Sequence, residues 1–371
     1  MPTYRLKWLR ILSIIGLLSG LIISWQLWLP GRAYPRVPIL SFIISDSLQY
    51  ILLGIAIISL FGSLHKRAST YFLPIYFITS IIFVMHDQSR LQPWFYQYNF
   101  ILFVCWINRL GNSERPNELQ AIQYILVGTY LWSGIQKLNH TFITETGPSL
   151  FNTILPLDIG WGMLIIPIFE VSLAVMLLGK KTRNYAVSLL VIMHLTIFLI
   201  LSPLISNHNA VVWPWNIISI GLVIAAFWNS AQSIYDVRIH TPIVQFTLLL
   251  FLLLPGLNLF NAWDEYLSSS LYSGKHIEGT IYFSSKIKKR LPLQIQNQLS
   301  REDGINLDHW SYTELNVPSY PETRIYDAVH DTLCKDAVDP LSVVLEIKKE
   351  PEWLTGKRET EMHYCNGKKI D

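Results

Sequence analysis

The chain has 371 residues, of which 51% are hydrophobic and 15% charged, with a formal net charge of +3. A mean hydropathy of +0.33 is too apolar for a water-soluble protein of this length, so a lipid bilayer is the implied solvent. The small positive charge, with no basic run interleaved with aromatics, excludes nucleic acid as a partner.

Arg5, Lys7 and Arg10 precede an apolar run, 11–30, that is long enough to span hydrocarbon and is followed by no Ala-x-Ala-like cleavage site. It reads as a retained first helix. Further apolar runs fall at 48–64, 70–87, 95–110, 119–139, 161–179, 184–204, 213–229 and 241–261, giving about nine transmembrane helices. The fourth and eighth runs are short and carry polar residues, so eight is the alternative. Trp25/Trp28 and Trp213/Trp215 sit at run ends, where amphipathic rings anchor at the headgroup level.

Cytoplasmic loops retain Lys and Arg, and this bias orients the chain. With the N-terminus inside, the inner set is Arg5, Lys7, Arg10, Lys66, Arg67, Arg109, Arg115, Lys180, Lys181, Arg183 and Arg238, eleven against the outer four of Arg32, Arg36, Arg90 and Lys137. An odd number of spans then makes this a multi-pass protein of the cell membrane with a cytoplasmic N-terminus and an extracytoplasmic C-terminal domain.

The expected fold is an all-α polytopic membrane bundle over residues 1–261 followed by a small soluble α+β domain over 262–371. From about Trp263 the composition turns polar, and Ile277–Phe283, Leu341–Ile347 and Thr360–Tyr364 alternate partially with period two, as strands do. Ser319-Tyr-Pro-Glu322 resembles a capping box, after which Ile325, Ala328, Val329 and Leu333 recur at helical spacing. Cys334 and Cys365 lie in this domain and Cys105 lies in the fourth run. Outside the cell the first two are expected to pair as a disulfide; in a reducing compartment they remain free thiols.

An ionisable side chain at membrane depth is costly and needs a reason. Glu170 lies near the middle of the sixth run and His194 near the centre of the seventh, at similar depth, as a candidate intramembrane polar pair. On the fifth helix, Gln123, Tyr130, Gly134 and Lys137 share one face, with Gln120 and Ser133 at its margins. One reading is a cavity wall with Lys137 at its mouth, where loss of water favours the neutral amine and hence a base. The other is close helix packing with a snorkelling lysine. For Glu170 and His194 the matching alternatives are a proton relay or ligand site and an interhelical hydrogen bond. No His-Glu-x-x-His, Cys-x-x-Cys, P-loop or G-x-G-x-x-G occurs and the ten histidines are scattered, so no metal centre or nucleotide site is expected.

The stretch Thr-Tyr-Leu-Trp-Ser-Gly-Ile-Gln-Lys137-Leu-Asn-His-Thr-Phe142 resembles a segment of the vitamin K-dependent γ-carboxylases and their bacterial HTTM-domain relatives. So do Asp87-Gln-Ser-Arg-Leu-Gln-Pro-Trp-Phe-Tyr96-Gln-Tyr98 and the basic turn Lys181-Thr-Arg183 leading to His194, so the resemblance covers about residues 85–225. The Gly-x-x-Lys-Leu pattern is also similar to the smaller DoxX and MauE-like membrane proteins. The resemblance implies an outward-facing cavity, with Asp87 among its lining residues, in which Lys137 matches the base that deprotonates a quinone-type cofactor. Where the carboxylase pattern has an Asn-His pair before Tyr-x-Tyr, this chain has Pro93-Trp94. Three functions follow as expectations: a membrane enzyme or redox subunit acting on an apolar, quinone-like ligand with Lys137 as base; a non-catalytic scaffold whose outer domain binds a protein partner; and a transporter, for which Pro74, Pro167 and Pro255 mark candidate kinks.

Overall fold

The computed structural model describes residues 2–40, 44–110, 116–151, 160–230, 241–289, 291–300, 303–335, 337 and 339–370. Helices occupy each apolar run: α1 Pro2–Ile23, α2 Asp46–Gly62, α3 Ser69–His86, α4 Pro93–Leu110, α5 Pro116–Gln136, α6 Ile165–Leu178, α7 Arg183–Leu201, α8 Val212–Phe227 and α9 Pro242–Leu248. The last of these continues as a π turn, Leu249–Leu253, and a 3-10 turn, Leu254–Phe260.

Among the described residues, five stretches are long and apolar enough to cross a membrane: Tyr4–Ile23, Ser69–His86, Gly160–Leu178, Arg183–Leu201 and Pro242–Phe260. Asp46–Gly62 and Val212–Phe227 are apolar but shorter. α4 and α5 are more polar, and α5 shows why. From Leu119 to Val127 every residue is buried, Gln120 and Gln123 included, because α5 packs against α6 on one side and α9 on another. A helix surrounded by protein has no lipid to match, so its composition is freed from the hydropathy that lipid contact demands.

Polar contacts sort the connections into two ends. At one, Arg5 donates to the carbonyls of Ala225 and Trp228, Arg10 to Ser63 and Arg183 to Ser230. At the other, the connections after α1, α3, α5 and α7 all meet the C-terminal region. Tyr34 N–H donates to Glu314, Gln92 to the Pro318 carbonyl, Asn139 to the Ser273 carbonyl and Asn209 to the Tyr272 hydroxyl.

The C-terminal region builds a five-stranded antiparallel sheet in the order β2-β1-β3-β4-β5, from β1 Glu278–Phe283, β2 Gly304–Asn306, β3 Val343–Lys348, β4 Thr360–Tyr364 and β5 Lys369–Ile370. Ile281 faces Leu345 in register, and the alternate residues Phe283, Val343 and Ile347 are also buried. That face is covered by α10 (Leu307–Leu315) and α11 (Thr323–Cys334), whose Leu307 and Tyr326 both approach Gly279 closely. The three expected strands are present within two residues at each end, and the expected helix is present but starts three residues later than a Ser319 cap would place it; β2, β5 and α10 are additions. The capping box is not formed. Glu322 occupies the N-cap without a side-chain cap, and Ser319 instead donates to Asp308 on α10, because a buried carboxylate needs that bond more than an exposed helix start does.

A disulfide joins Cys334 at the end of α11 to Cys365 just after β4. The separation of 31 residues corresponds to roughly 3–4 kcal/mol of loop-closure entropy removed from the unfolded chain.

Of the four expected interface tryptophans one is fully buried and another is half-buried with its N–H turned to a protein partner. Trp28 is 1% exposed, packing edge-on against Phe83 and beneath the Arg90 guanidinium, and Trp215 donates to Gln97. Trp25 remains 52% exposed. Beside Trp28, fully buried Asp87 pairs with Arg32 and lies 3.9 Å from Arg90, and it accepts from the Val37 N–H. Asp87 therefore fastens the connection after α1 to the one after α3 and lies away from the Lys137 cavity. Asp87→Asn would leave two buried guanidiniums without their counter-charge and should cost roughly 3–5 kcal/mol. In a thermal melt of the full chain in detergent its midpoint should fall well below that of Asp46→Asn, whose exposed pair with Arg36 spans 3.9 Å.

Candidate functional site

The polar face of α5 is set against α6 by a close approach. A Cβ on Gly134 would sit 2.7 Å from Val171 Cγ2 and 2.8 Å from the Pro167 carbonyl, so only glycine lets the helices touch there. One turn on, that proximity brings Lys137 Nζ to 2.9 and 2.8 Å from the two carboxylate oxygens of Glu170. Its third N–H donates to Ser133 Oγ at 2.7 Å. Lys137 and Glu170 are 8% and 5% exposed, so each supplies the counter-charge that makes the other tolerable at this depth.

On the opposite wall, the Tyr130 hydroxyl lies 2.8 Å from His194 Nε2, and His194 Nδ1 lies 2.8 Å from Asn216 Oδ1. Asn216 commits its amide N–H to the Val212 carbonyl, so its oxygen faces the imidazole and requires an N–H at Nδ1. Nε2 of the neutral ring is then the acceptor for the tyrosine O–H. Glu170 thus pairs with Lys137, and His194 with Tyr130 and Asn216, rather than with each other.

Both constellations line one cavity of about 110 Å³ between α5, α6, α7 and α8, closed at the top by Ser269, Leu271 and Tyr272. That volume suits a few waters or the polar head of a small ligand. Of the residues expected to line it, Tyr130, Lys137, Glu170 and His194 do. Gln123 lies deeper and donates to the Ala226 carbonyl, Gly134 faces α6, and Asp87 belongs to the outer connection.

Asn216 and Gln97 were not singled out in the sequence, whereas Ser133, placed there at the margin of the polar face, does line the cavity. Asn216, a lone amide within an apolar run, was detectable by the reasoning that flagged Glu170. The roof was not, because it comes from a segment beyond the last helix. Ser269 and Tyr272 both adopt left-handed backbone, at φ 57° and 60°, which costs non-glycine residues of order 1 kcal/mol each. Bonds at both ends hold the roof: Asn209 donates to the Tyr272 hydroxyl at 2.8 Å, and Ser270 Oγ donates to Glu265.

Among the described residues, the group of His, Cys and carboxylate side chains close enough to hold a metal ion is His330 with Cys334 and Cys365, whose sulfurs are consumed by the disulfide. No family model, curated protein or solved structure matches the chain.

Behind the roof lies a carboxylate cluster. Glu322 accepts from the Glu265 N–H at 3.1 Å, beside Asp264 and with Arg324 at 3.1 Å. Burial, reinforced by the Asp264 charge, pushes the Glu322 carboxyl up from 4.5 to about 7. A carboxyl raised in the folded state keeps its proton after the unfolded chain has lost it, so stability is greatest below pH 4.5 and declines as pH rises to 7. The loss from this group should approach about 3 kcal/mol, and Glu322→Gln should flatten that part of the profile. Denaturant melts of the full chain at pH 5, 6, 7 and 8 check this; a wild-type profile as flat as the variant's would contradict it.

Proposed function

We propose that this chain is a membrane enzyme or redox subunit that binds the polar head of an apolar, quinone-like ligand beneath the outer domain. The observation that carries this reading is the convergence of a buried Lys–Glu pair and a Tyr–His–Asn chain on one cavity, because groups able to hold and pass protons are expensive at this depth and here face open space. The resemblance of residues 85–225 to the γ-carboxylase and HTTM-domain proteins supports the same ligand class.

The pairing of Lys137 revises its role. With all three N–H groups donated, the ammonium has no lone pair to offer. For Lys137 to act as base, its proton must first pass to Glu170 across the 2.8 Å contact. The neutral amine then takes a proton from a ligand hydroxyl, and the restored ammonium stabilises the anion formed. Tyr130 and His194 supply a second path, since Nε2 can accept the tyrosine proton.

A second reading is favoured by the saturation of the Lys137 ammonium: the same groups fix a non-catalytic scaffold by internal hydrogen bonds. The Lys137 variants separate the two. Lys137→Ala alone strands a buried carboxylate and should cost roughly 3–5 kcal/mol, most of it recovered in Lys137→Ala/Glu170→Gln. Lys137→Arg should preserve fold and binding of menadione or a short-chain benzoquinone, yet slow proton-coupled oxidation of the reduced probe by added ferricyanide about a hundredfold, since guanidinium stays protonated. Full turnover by the arginine variant would remove Lys137 from the chemistry. Absence of a quinone from lipid extracts of the purified protein, together with no probe binding, would favour the scaffold.

We further infer that all nine helices cross the membrane, with the N-terminus cytoplasmic and the C-terminal domain outside. The sorting of alternate connections to opposite ends supports this. So does the pairing of each outer cation with a carboxylate: Arg32 and Arg90 with Asp87, Arg36 with Asp46, and Lys137 with Glu170. Alkaline phosphatase fused after Asp371 should be active; fluorescence of a cytoplasmic reporter at that position would mean an even number of crossings.

A further inference from the structure

At the end of the bundle remote from the cavity, α1 and α8 part to leave a groove of about 760 Å³ lined by Tyr4, Arg5, Trp8, Leu12, Gly221, Ile224, Ala225 and Trp228. Its two sides run in register. Leu12 is two turns inward from Arg5 and Gly221 two turns inward from Trp228, so the apolar trough extends about 10 Å from the level of the guanidinium towards the membrane centre. The inner end of the trough is closed where α1 and α8 touch: a Cβ on Gly221 would meet Leu12 at 2.9 Å.

Its mouth is cationic and aromatic. Arg5 is held by two bonds, 2.9 Å to the Ala225 carbonyl and 2.7 Å to the Trp228 carbonyl, which use two of the five N–H groups of a guanidinium. Lys7 does not line the groove, but its ammonium lies 5.9 Å from the ring of Trp8, which does. Among the described residues no carboxylate pairs with Arg5 or Lys7. Tyr4, Trp8 and Trp228 are 65%, 40% and 42% exposed around the rim, the placement such rings take at a headgroup boundary.

We propose that this groove is a binding site for an anionic phospholipid of the leaflet at the N-terminal end, its phosphate on Arg5 and Lys7 and one acyl chain lying along Leu12, Gly221 and Ile224. A fixed guanidinium with unused donors above an apolar trough complements both halves of such a lipid, which neither a free anion nor a bare hydrocarbon chain would do. The proposal rests on the membrane reading of the chain and is independent of the Lys137 cavity.

The test is native mass spectrometry of the full chain, purified in mild detergent and equilibrated with equal amounts of phosphatidylglycerol and phosphatidylcholine. Wild type should retain phosphatidylglycerol preferentially. Arg5→Gln and Lys7→Gln should each reduce that preference about fivefold. Gly221→Leu, which fills the trough and leaves both cations in place, should abolish retention, whereas Lys181→Gln at the same end should not. Thermal melts identify any variant that has lost its fold, and Lys7→Gln, on an exposed side chain, keeps the proposal open to refutation if Arg5→Gln unfolds. Equal retention of the two lipids, retention unchanged in Gly221→Leu, or complete displacement of the lipid by millimolar inorganic phosphate would each overturn it.

Discussion

The contact between Lys137 and Glu170 constrains the bundle more than any other. Neither charge is affordable alone at that depth, so α5 and α6 must lie close enough to join them. Gly134 makes that distance attainable by letting the backbones meet one turn earlier. With α6 fixed, α7 and α8 bring His194 and Asn216 into one hydrogen-bonded chain with Tyr130, and one buried pair sets where three further polar side chains can be satisfied. Asp87 repeats the same logic at the outer surface, binding two arginines that otherwise could not be buried.

The C-terminal domain belongs to the cavity as well as to the solvent. Its linking segment supplies the roof in a backbone conformation that Ser269 and Tyr272 would not choose unaided, and the compensation comes from neighbouring hydrogen bonds. Because Glu265 anchors the roof and Glu322 receives the Glu265 N–H, the cavity's cover is tied to a carboxyl that titrates near neutrality. Cavity access and the docking of the outer domain are therefore parts of one packed unit.

Several features were legible because they follow from local rules. Apolar runs found the helices, since lipid demands them, and period-two alternation found β1 and β3, each with one buried face, and β4, in which His363 alone is buried. The polar stripe on α5 was recognisable, but periodicity could not say which member faces what. Tyr130 and Lys137 reach the cavity, while Gly134, 40° round the helix from Tyr130, meets α6 and Gln123 bonds α8. Trp28 and Trp215 misled for a related reason: position at a run end suggests an interface, yet both rings found internal partners.

What the sequence determined by itself was the apolar solvent, the segments that must be helical and the presence of charges that needed partners. Those properties depend on composition and on spacing along one chain. The tertiary structure decided who the partners are: Glu170 for Lys137, Asn216 for His194, Asp87 for Arg32, and a distant linker for the mouth of the cavity. Each choice depends on which helices become neighbours and how they are rotated, and a buried charge is indifferent to which counter-charge it meets until packing brings one within reach.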